Sequence, residues 1–243
     1  MRSVFILFLL SLSSKLVFAQ YYDHNKICST DTIQVDTYNH KVDVHFKYKA
    51  VECTQVSKFA IRIDLGYNLY SYNEKTKQWL GNHQGALFGL SFAYGNWGFG
   101  ARFKPATINP KKELVFDDVY LEKNAKLNPI KIEYDLNYSF NFKYNVSFEP
   151  YIALTSNSFY VINEDELNQQ YNISKVRGLA GGITINKYFR VVNFEYLSLF
   201  AKCGYSATNF NKVNAELDRG YADISFGIAY KGYSNRKFIQ PID

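Results

Sequence analysis

The stretch Ile130-Lys131-Ile132-Glu133-Tyr134-Asp135-Leu136-Asn137-Tyr138-Ser139-Phe140-Asn141-Phe142 alternates without a break. Ile130, Ile132, Tyr134, Leu136, Tyr138, Phe140 and Phe142 fall on one face, and Lys131, Glu133, Asp135, Asn137, Ser139 and Asn141 on the other. Side chains of a strand point alternately to its two faces, so one face here is apolar and the other charged or polar. At about 13 residues the run exceeds the roughly 5–6 of a typical soluble strand and suffices for the about 9–11 that a tilted strand needs to cross a bilayer. The pattern predicts a strand of a membrane-spanning β-barrel.

Seven further segments alternate in the same way, giving strands at 59–70, 85–94, 97–105, 130–142, 145–155, 176–189, 194–208 and 220–230. Tyr196 and Phe200 fall on the wrong face of the seventh, which predicts a bulge there. The connections 95–96, 143–144 and 190–193 are tight turns, whereas 71–84, 106–129, 156–175 and 209–219 are long and polar. Bacterial outer-membrane barrels have short periplasmic turns and long external loops, so this alternation puts both chain ends in the periplasm. The expected fold is all-β: a transmembrane antiparallel up-and-down barrel of eight strands. A ten-stranded barrel is the alternative, because 32–38 and 42–50 also alternate around Asn39-His40. A soluble lipocalin-like barrel, apolar inside and polar outside, is the third reading, disfavoured by strand length and loop asymmetry.

Other features fit an exported chain. Met1-Arg2-Ser3, the apolar run from Val4 to Leu12 and Val17-Phe18-Ala19 have the form of a signal peptide, residues 1–19. Its removal takes away Arg2 and Lys15, so the formal charge falls from +6 to +4 (26 basic against 22 acidic). Neither that balance nor the compartment suggests nucleic acid as a partner. The 21 Tyr and 20 Phe suit aromatic girdles at two membrane interfaces. Residues 20–56 form a periplasmic segment or an extra hairpin, 57–232 the barrel and 233–243 a periplasmic tail.

Residues 57–232 resemble, by pattern and not by motif, the small eight-stranded outer-membrane barrels such as outer-membrane proteins A and X. Ser225-Phe226-Gly227-Ile228-Ala229-Tyr230 is similar to their C-terminal assembly signal, although this chain runs on to Asp243. The resemblance implies outer-membrane lipids as the surroundings, the barrel-assembly machinery as a partner during biogenesis, and other outer-membrane proteins as candidate partners.

The inward faces of the eight strands carry Arg62, Arg102, Lys104, Lys131 and Lys202 against Asp64, Glu133, Asp135, Glu149 and Asp223. An eight-stranded barrel is just wide enough for side chains to fill, and unpaired buried charges are costly. The equal numbers therefore predict a salt-bridge network plugging the lumen, with a narrow ion path or proton relay as the functional alternative. A membrane-embedded enzyme is the other alternative class. Similar barrels that deacylate lipid A pair a His with a Ser on an outer-leaflet strand, but His24, His40, His45 and His83 all lie outside the expected strands. No catalytic residue and no cofactor is implied.

Cys28 and Cys53 are expected to form a disulfide, natural in an oxidising compartment. A metal site from His24, Cys28, His40, His45 and Cys53 is the alternative, and its spacing matches no zinc pattern. Cys203 falls on the lipid face as a small hydrophobe. Gly95-Asn96-Trp97-Gly98-Phe99-Gly100 resembles a phosphate loop only superficially, since no helix follows. Its inward glycines are expected to make room for a long neighbour. Lys143, Lys187, Arg190, Lys231, Arg236 and Lys237 mark the periplasmic rim as lipid-headgroup anchors. Phe159, Tyr160, Glu164, Asp165 and Glu166, in the third long loop, are the candidate contact residues for a protein partner.

Overall fold

The computed structural model describes residues 26–39, 44–116, 119–123, 125–163, 169–192 and 194–242. The expected signal peptide, together with His24 and His40, lies outside them. A closed antiparallel barrel is formed by β2 (Val44–Tyr72), β3 (His83–Tyr94), β4 (Trp97–Pro105), β7 (Leu127–Tyr138), β9 (Val146–Asn163), β10 (Gln169–Val192), β11 (Glu195–Asn209) and β12 (Arg219–Pro241). The pairing runs around the ring and closes where β12 meets β2, from Tyr221 opposite Tyr72 down to Tyr233 opposite Ala60.

Sequence periodicity and structure agree on the two faces. Ile61, Ile63 and Leu65 of β2, Phe88, Leu90 and Phe92 of β3, and Ile224, Phe226 and Ile228 of β12 are exposed, while Arg62, Asp64 and Asp223 between them are buried. An apolar exterior around a charged interior is the reverse of a lipocalin and fits a lipid surround. The expected fourth strand divides at Ser139 into β7 and the short β8 (Phe140–Phe142), where the Ser139 N–H donates to Asn96 O of the preceding turn at 2.8 Å. The next turn has three residues, Lys143, Tyr144 and Asn145, because Phe142 pairs with Val146, and Tyr144 and Asn145 both have positive φ, 66° and 58°.

The bulge expected in the seventh strand is absent from its middle. β11 pairs with β10 in unbroken register from Tyr196 opposite Arg190 to Thr208 opposite Gly178. Phe200 lies inside the barrel, 4% exposed, because its neighbours across the sheet there are Gly227 and then Gly66. A Cβ on Gly66 would sit 3.1 Å from the Phe200 ring.

Strand ends depart from expectation at both ends of the barrel. β9 and β10 remain paired well past the apolar belt, Asn163 opposite Gln169, so most of the loop expected at 156–175 is a hairpin. At the short-turn end β2 and β12 continue below the barrel, Val56 opposite Asn235 through Ala50 opposite Pro241. β1 (Lys26–Asn39) pairs with β2 there, making a three-stranded extension outside the closed ring. The barrel thus has eight strands, and the extra hairpin lies beside it. Nothing in bilayer thickness limits a strand outside the membrane, so these strands continue for as long as they find a partner.

Cys28 and Cys53 face each other in this extension and are bridged. The bridge uses both thiols that the alternative metal site required. Closing a loop of that order stabilises by about 3 kcal/mol in the chain-entropy account. Mass spectrometry without reduction is expected to find Cys28 joined to Cys53 and Cys203 free. Replacing both bridged cysteines by serine should speed amide exchange across the extension and leave the melting of the barrel unchanged. Free thiols at both positions in protein from the cell envelope would contradict the pairing.

Candidate functional site

The lumen is built by alternation. Every second residue of β2, β4, β7, β9, β11 and β12 points inward, and the ten charges expected there are all buried. Near the short-turn end Arg62 meets Asp64 at 2.5 Å and Glu149 at 3.5 Å. Asp64 also meets Arg102 at 3.1 Å, and Arg102 meets Asp135. Lys202 joins Asp135 at 3.1 Å and also pairs with Glu133. Glu133 further accepts Lys104 and Lys131, each at 3.2 Å, and these two lysines share Asp223 at 3.3 and 2.5 Å. Five cations and five carboxylates form one connected lattice across the barrel. Glu149, ion-paired with Arg62 and facing Lys231 at longer range, is completed by the hydroxyls of Ser139, Ser147 and Tyr188, which donate to it from 2.8, 2.9 and 3.2 Å.

Glycines fit the lattice into the available width. A Cβ on Gly89 would stand 3.0 Å from the Asp64 side chain, and one on Gly100 would stand 3.0 Å from the Asp135 carboxylate. The glycine-rich stretch 95–100 therefore serves packing of the charged side chains, and Gly95 supplies the positive φ, 60°, of the turn.

Above the lattice, at the long-loop end, the lumen is closed by an apolar cap. Tyr70, Tyr72, Leu80, Ala106, Ile108, Leu121, Leu127, Phe159, Val176, Phe210, Leu217 and Tyr221 form one buried cluster. Phe210 stacks on Tyr221 with ring centres 5.7 Å apart and meets Phe159 edge-on at 5.8 Å. The loops that supply the cap are tied together. The helix α1 (Glu74–Leu80) accepts Lys111 N–H at Trp79 O, and Asp218 N–H donates to Thr76 Oγ1, both at 2.8 Å. Asn214 donates to Val115 O at 2.7 Å, reaching the small hairpin of β5 (Leu114–Phe116) and β6 (Val119–Leu121).

Several expected sites move. Phe159 is 1% exposed and belongs to the cap, so it is a packing residue and is corrected as a contact residue. The inward phase of β9, Tyr151, Ala153, Thr155 and Asn157, continues through it because the strand does not end at the membrane. Tyr160 is half-buried on the other face, and Glu164, Asp165 and Glu166 lie outside the described residues. His83 is not in a loop but opens β3 opposite Tyr70, and His45 lies in the extension of β2. The His83 ring stacks on Tyr70 at 4.3 Å, and its Nδ1 has no hydrogen-bond partner among the described residues. That is packing geometry, with no serine or carboxylate aligned to it.

Lys231 is also corrected. It stands opposite Arg62, in phase with Ser225, Gly227 and Ala229, and its ammonium lies over the rings of Tyr188 and Tyr233 at 5.6 and 5.2 Å inside the short-turn mouth. The alternation of β12 carried this signal one residue past the expected strand end. Of the other expected rim cations, Lys143 and Arg190 are exposed, Lys187 donates to Tyr144 O, and Arg236 and Lys237 lie on the extension, with Lys237 3.4 Å from Glu52. Sequence reading also passed over Val115, Val119 and Tyr120 of the β5–β6 hairpin, which are exposed at the loop end. Their signal is a pair of apolar triplets, Leu114-Val115-Phe116 and Val119-Tyr120-Leu121, flanking Asp117-Asp118.

A closed antiparallel eight-stranded barrel, apolar outside and charged within, has the architecture of the small outer-membrane barrels. No family model matches the chain, and no curated protein matches it. Among solved structures, Neisserial surface protein A is similar at 13% identity and a TM-score of 0.47, over 74% of this chain and 99% of that one. Ail, the attachment invasion locus protein of Yersinia pestis, is 15% identical over 74% and 98%, with a TM-score of 0.39. The N-terminal β-barrel domain of Pseudomonas aeruginosa OprF is 12% identical over 73% and 99%, with a TM-score of 0.39.

Proposed function

We propose that this is a non-enzymatic outer-membrane barrel with a side-chain-filled lumen, acting through its long loops as a surface protein. The observation that carries the reading is the double closure of the lumen. A continuous ion-pair lattice spans its middle and an aromatic cap fills its loop end, which leaves no path for a solute. What remains for function is surface. Three of the four long connections, 71–84, 106–129 and 209–219, are tied to one another by hydrogen bonds, and rigidly held loops are where scaffolds of this kind place contacts.

The orientation belongs to the same proposal. Long connections face outward in barrels of this class, so the cap faces the medium and both termini, with the disulfide-bridged extension, face the periplasm. A second reading, a subunit of a larger outer-membrane assembly, is favoured by the exposed Val115, Val119 and Tyr120 at the loop end.

In planar bilayers the purified protein is expected to give no single-channel steps, and a large conductance would overturn the closed lumen. An epitope tag inserted after Asn168 is expected to be reached by antibody on intact cells, and one after Asp243 is not. The reverse labelling would invert the orientation. A loop tag reached only after detergent extraction, with purification as a large complex, would replace the surface protein by the assembly subunit.

A further inference from the structure

Lys231 divides two small cavities near the short-turn mouth of the lumen. The outer one is walled by Phe142, Tyr188, Tyr196 and Tyr233 together with Lys231. The inner one, about 20 Å³, is walled by Arg62, Ser91, Arg102, Asn137, Glu149 and Lys231 toward the lumen and by Gly95, Asn96 and Trp97 of the β3–β4 turn toward the rim. A single water occupies roughly 10–15 Å³ on the same measure, so the inner cavity has room for one body of slightly larger size.

The polar groups aimed at that space are mostly donors. Arg62 is 6% exposed, and its Nη2 has no acceptor among the described residues; neither has the Oγ of Ser91, 5% exposed. The Glu149 carboxylate is already occupied by Arg62, Ser139, Ser147 and Tyr188. The half-buried Lys231 ammonium rests on the rings of Tyr188 and Tyr233 and feels the Glu149 carboxylate only at longer range, with no direct ion pair among the described residues. With Lys231 included, the inward cations are Arg62, Arg102, Lys104, Lys131, Lys202 and Lys231, one more than the carboxylates Asp64, Glu133, Asp135, Glu149 and Asp223.

We propose that the inner cavity binds one small monovalent anion, of the size and charge of chloride, between Arg62, Ser91 and Lys231. Such an ion accepts from the unpartnered Nη2 and from the serine hydroxyl, both on buried residues, and it offsets the one charge by which the inward cations exceed the carboxylates. Water would satisfy the donors but leave the charge. Phosphate and sulfate, with four oxygens around a central atom, exceed the space. The exposed β3–β4 turn, at Gly95 and Trp97, gives the ion its approach.

The test uses the full folded protein in nonionic detergent, melted in sodium bromide, chloride or gluconate at equal ionic strength. Bromide and chloride are expected to raise the midpoint saturably above gluconate, and Lys231→Gln is expected to raise the half-maximal bromide concentration at least tenfold. If that variant does not fold, Ser91→Val serves, because it removes the hydroxyl and fills the cavity. Crystals soaked in sodium bromide are expected to give an anomalous peak against Arg62 and Lys231. Equal melting in all salts, a halide response unchanged in the variant, or stabilisation by sulfate equal to that by bromide would each overturn the site. So would a bromide peak with no halide-dependent melting, which would mark an adventitious ion only.

Discussion

Glu133→Ala is expected to destabilise the folded barrel by about 3–5 kcal/mol, the cost of leaving buried charge without its partner. Glu133 is fully buried and is the point at which the lattice is most connected, with Lys104 and Lys131 each at 3.2 Å and Lys202 also bound. Without it, three ammonium groups would share only Asp223 and Asp135. None of the three lysines can reach water without displacing the aromatic cap or the rest of the lattice. Glu133→Gln, which keeps the shape and loses the charge, should fall between wild type and alanine. Lys237→Ala, by contrast, breaks an exposed pair with Glu52 and should cost no more than about 1 kcal/mol. The temperature at which the compact band is lost on unheated gels reports all three. An unchanged profile for Glu133→Ala would mean that the charges are not held as a lattice.

The residues of that lattice were legible in the sequence because alternation alone assigns a face. Their partners were not. Lys131 and Asp223 meet at 2.5 Å across 92 residues of sequence, and that requires the register of every strand between them. The ends of strands were legible only where the bilayer sets them. Apolar alternation stops at the edge of the belt, but backbone pairing does not, so β9, β10 and β12 run on into segments that read as polar loop or tail. Phe159 and Lys231 were misplaced for that one reason. The disulfide was legible from compartment and count, whereas the position of its hairpin beside the ring depended on β2 being one strand of 29 residues.

Phe200 was the residue that sequence periodicity could not accommodate, and its removal carries the second large effect. Phe200→Ala is expected to cost about 3–5 kcal/mol, the range for deleting a buried phenylalanine where the surroundings cannot collapse. Across the sheet the surroundings are backbone. Gly227 and Gly66 stand in line across the sheet from it, and neither has a side chain to move into the space. A larger residue at Gly66 cannot fill it either, because its Cβ would press on the Phe226 carbonyl oxygen even with the ring gone. The cavity would therefore persist, bounded by Leu87 and Ala229, the other members of that small cluster. The Arg62 guanidinium would also lose the ring it now faces at 5.6 Å, weakening the short-turn end of the lattice. Phe200→Leu should recover most of the loss, and Phe200→Ala combined with Gly66→Ala should not. If the double variant melted like wild type, Phe200 would be no more than tolerated in the lumen, and the bulge that its periodicity suggested would have to be sought again.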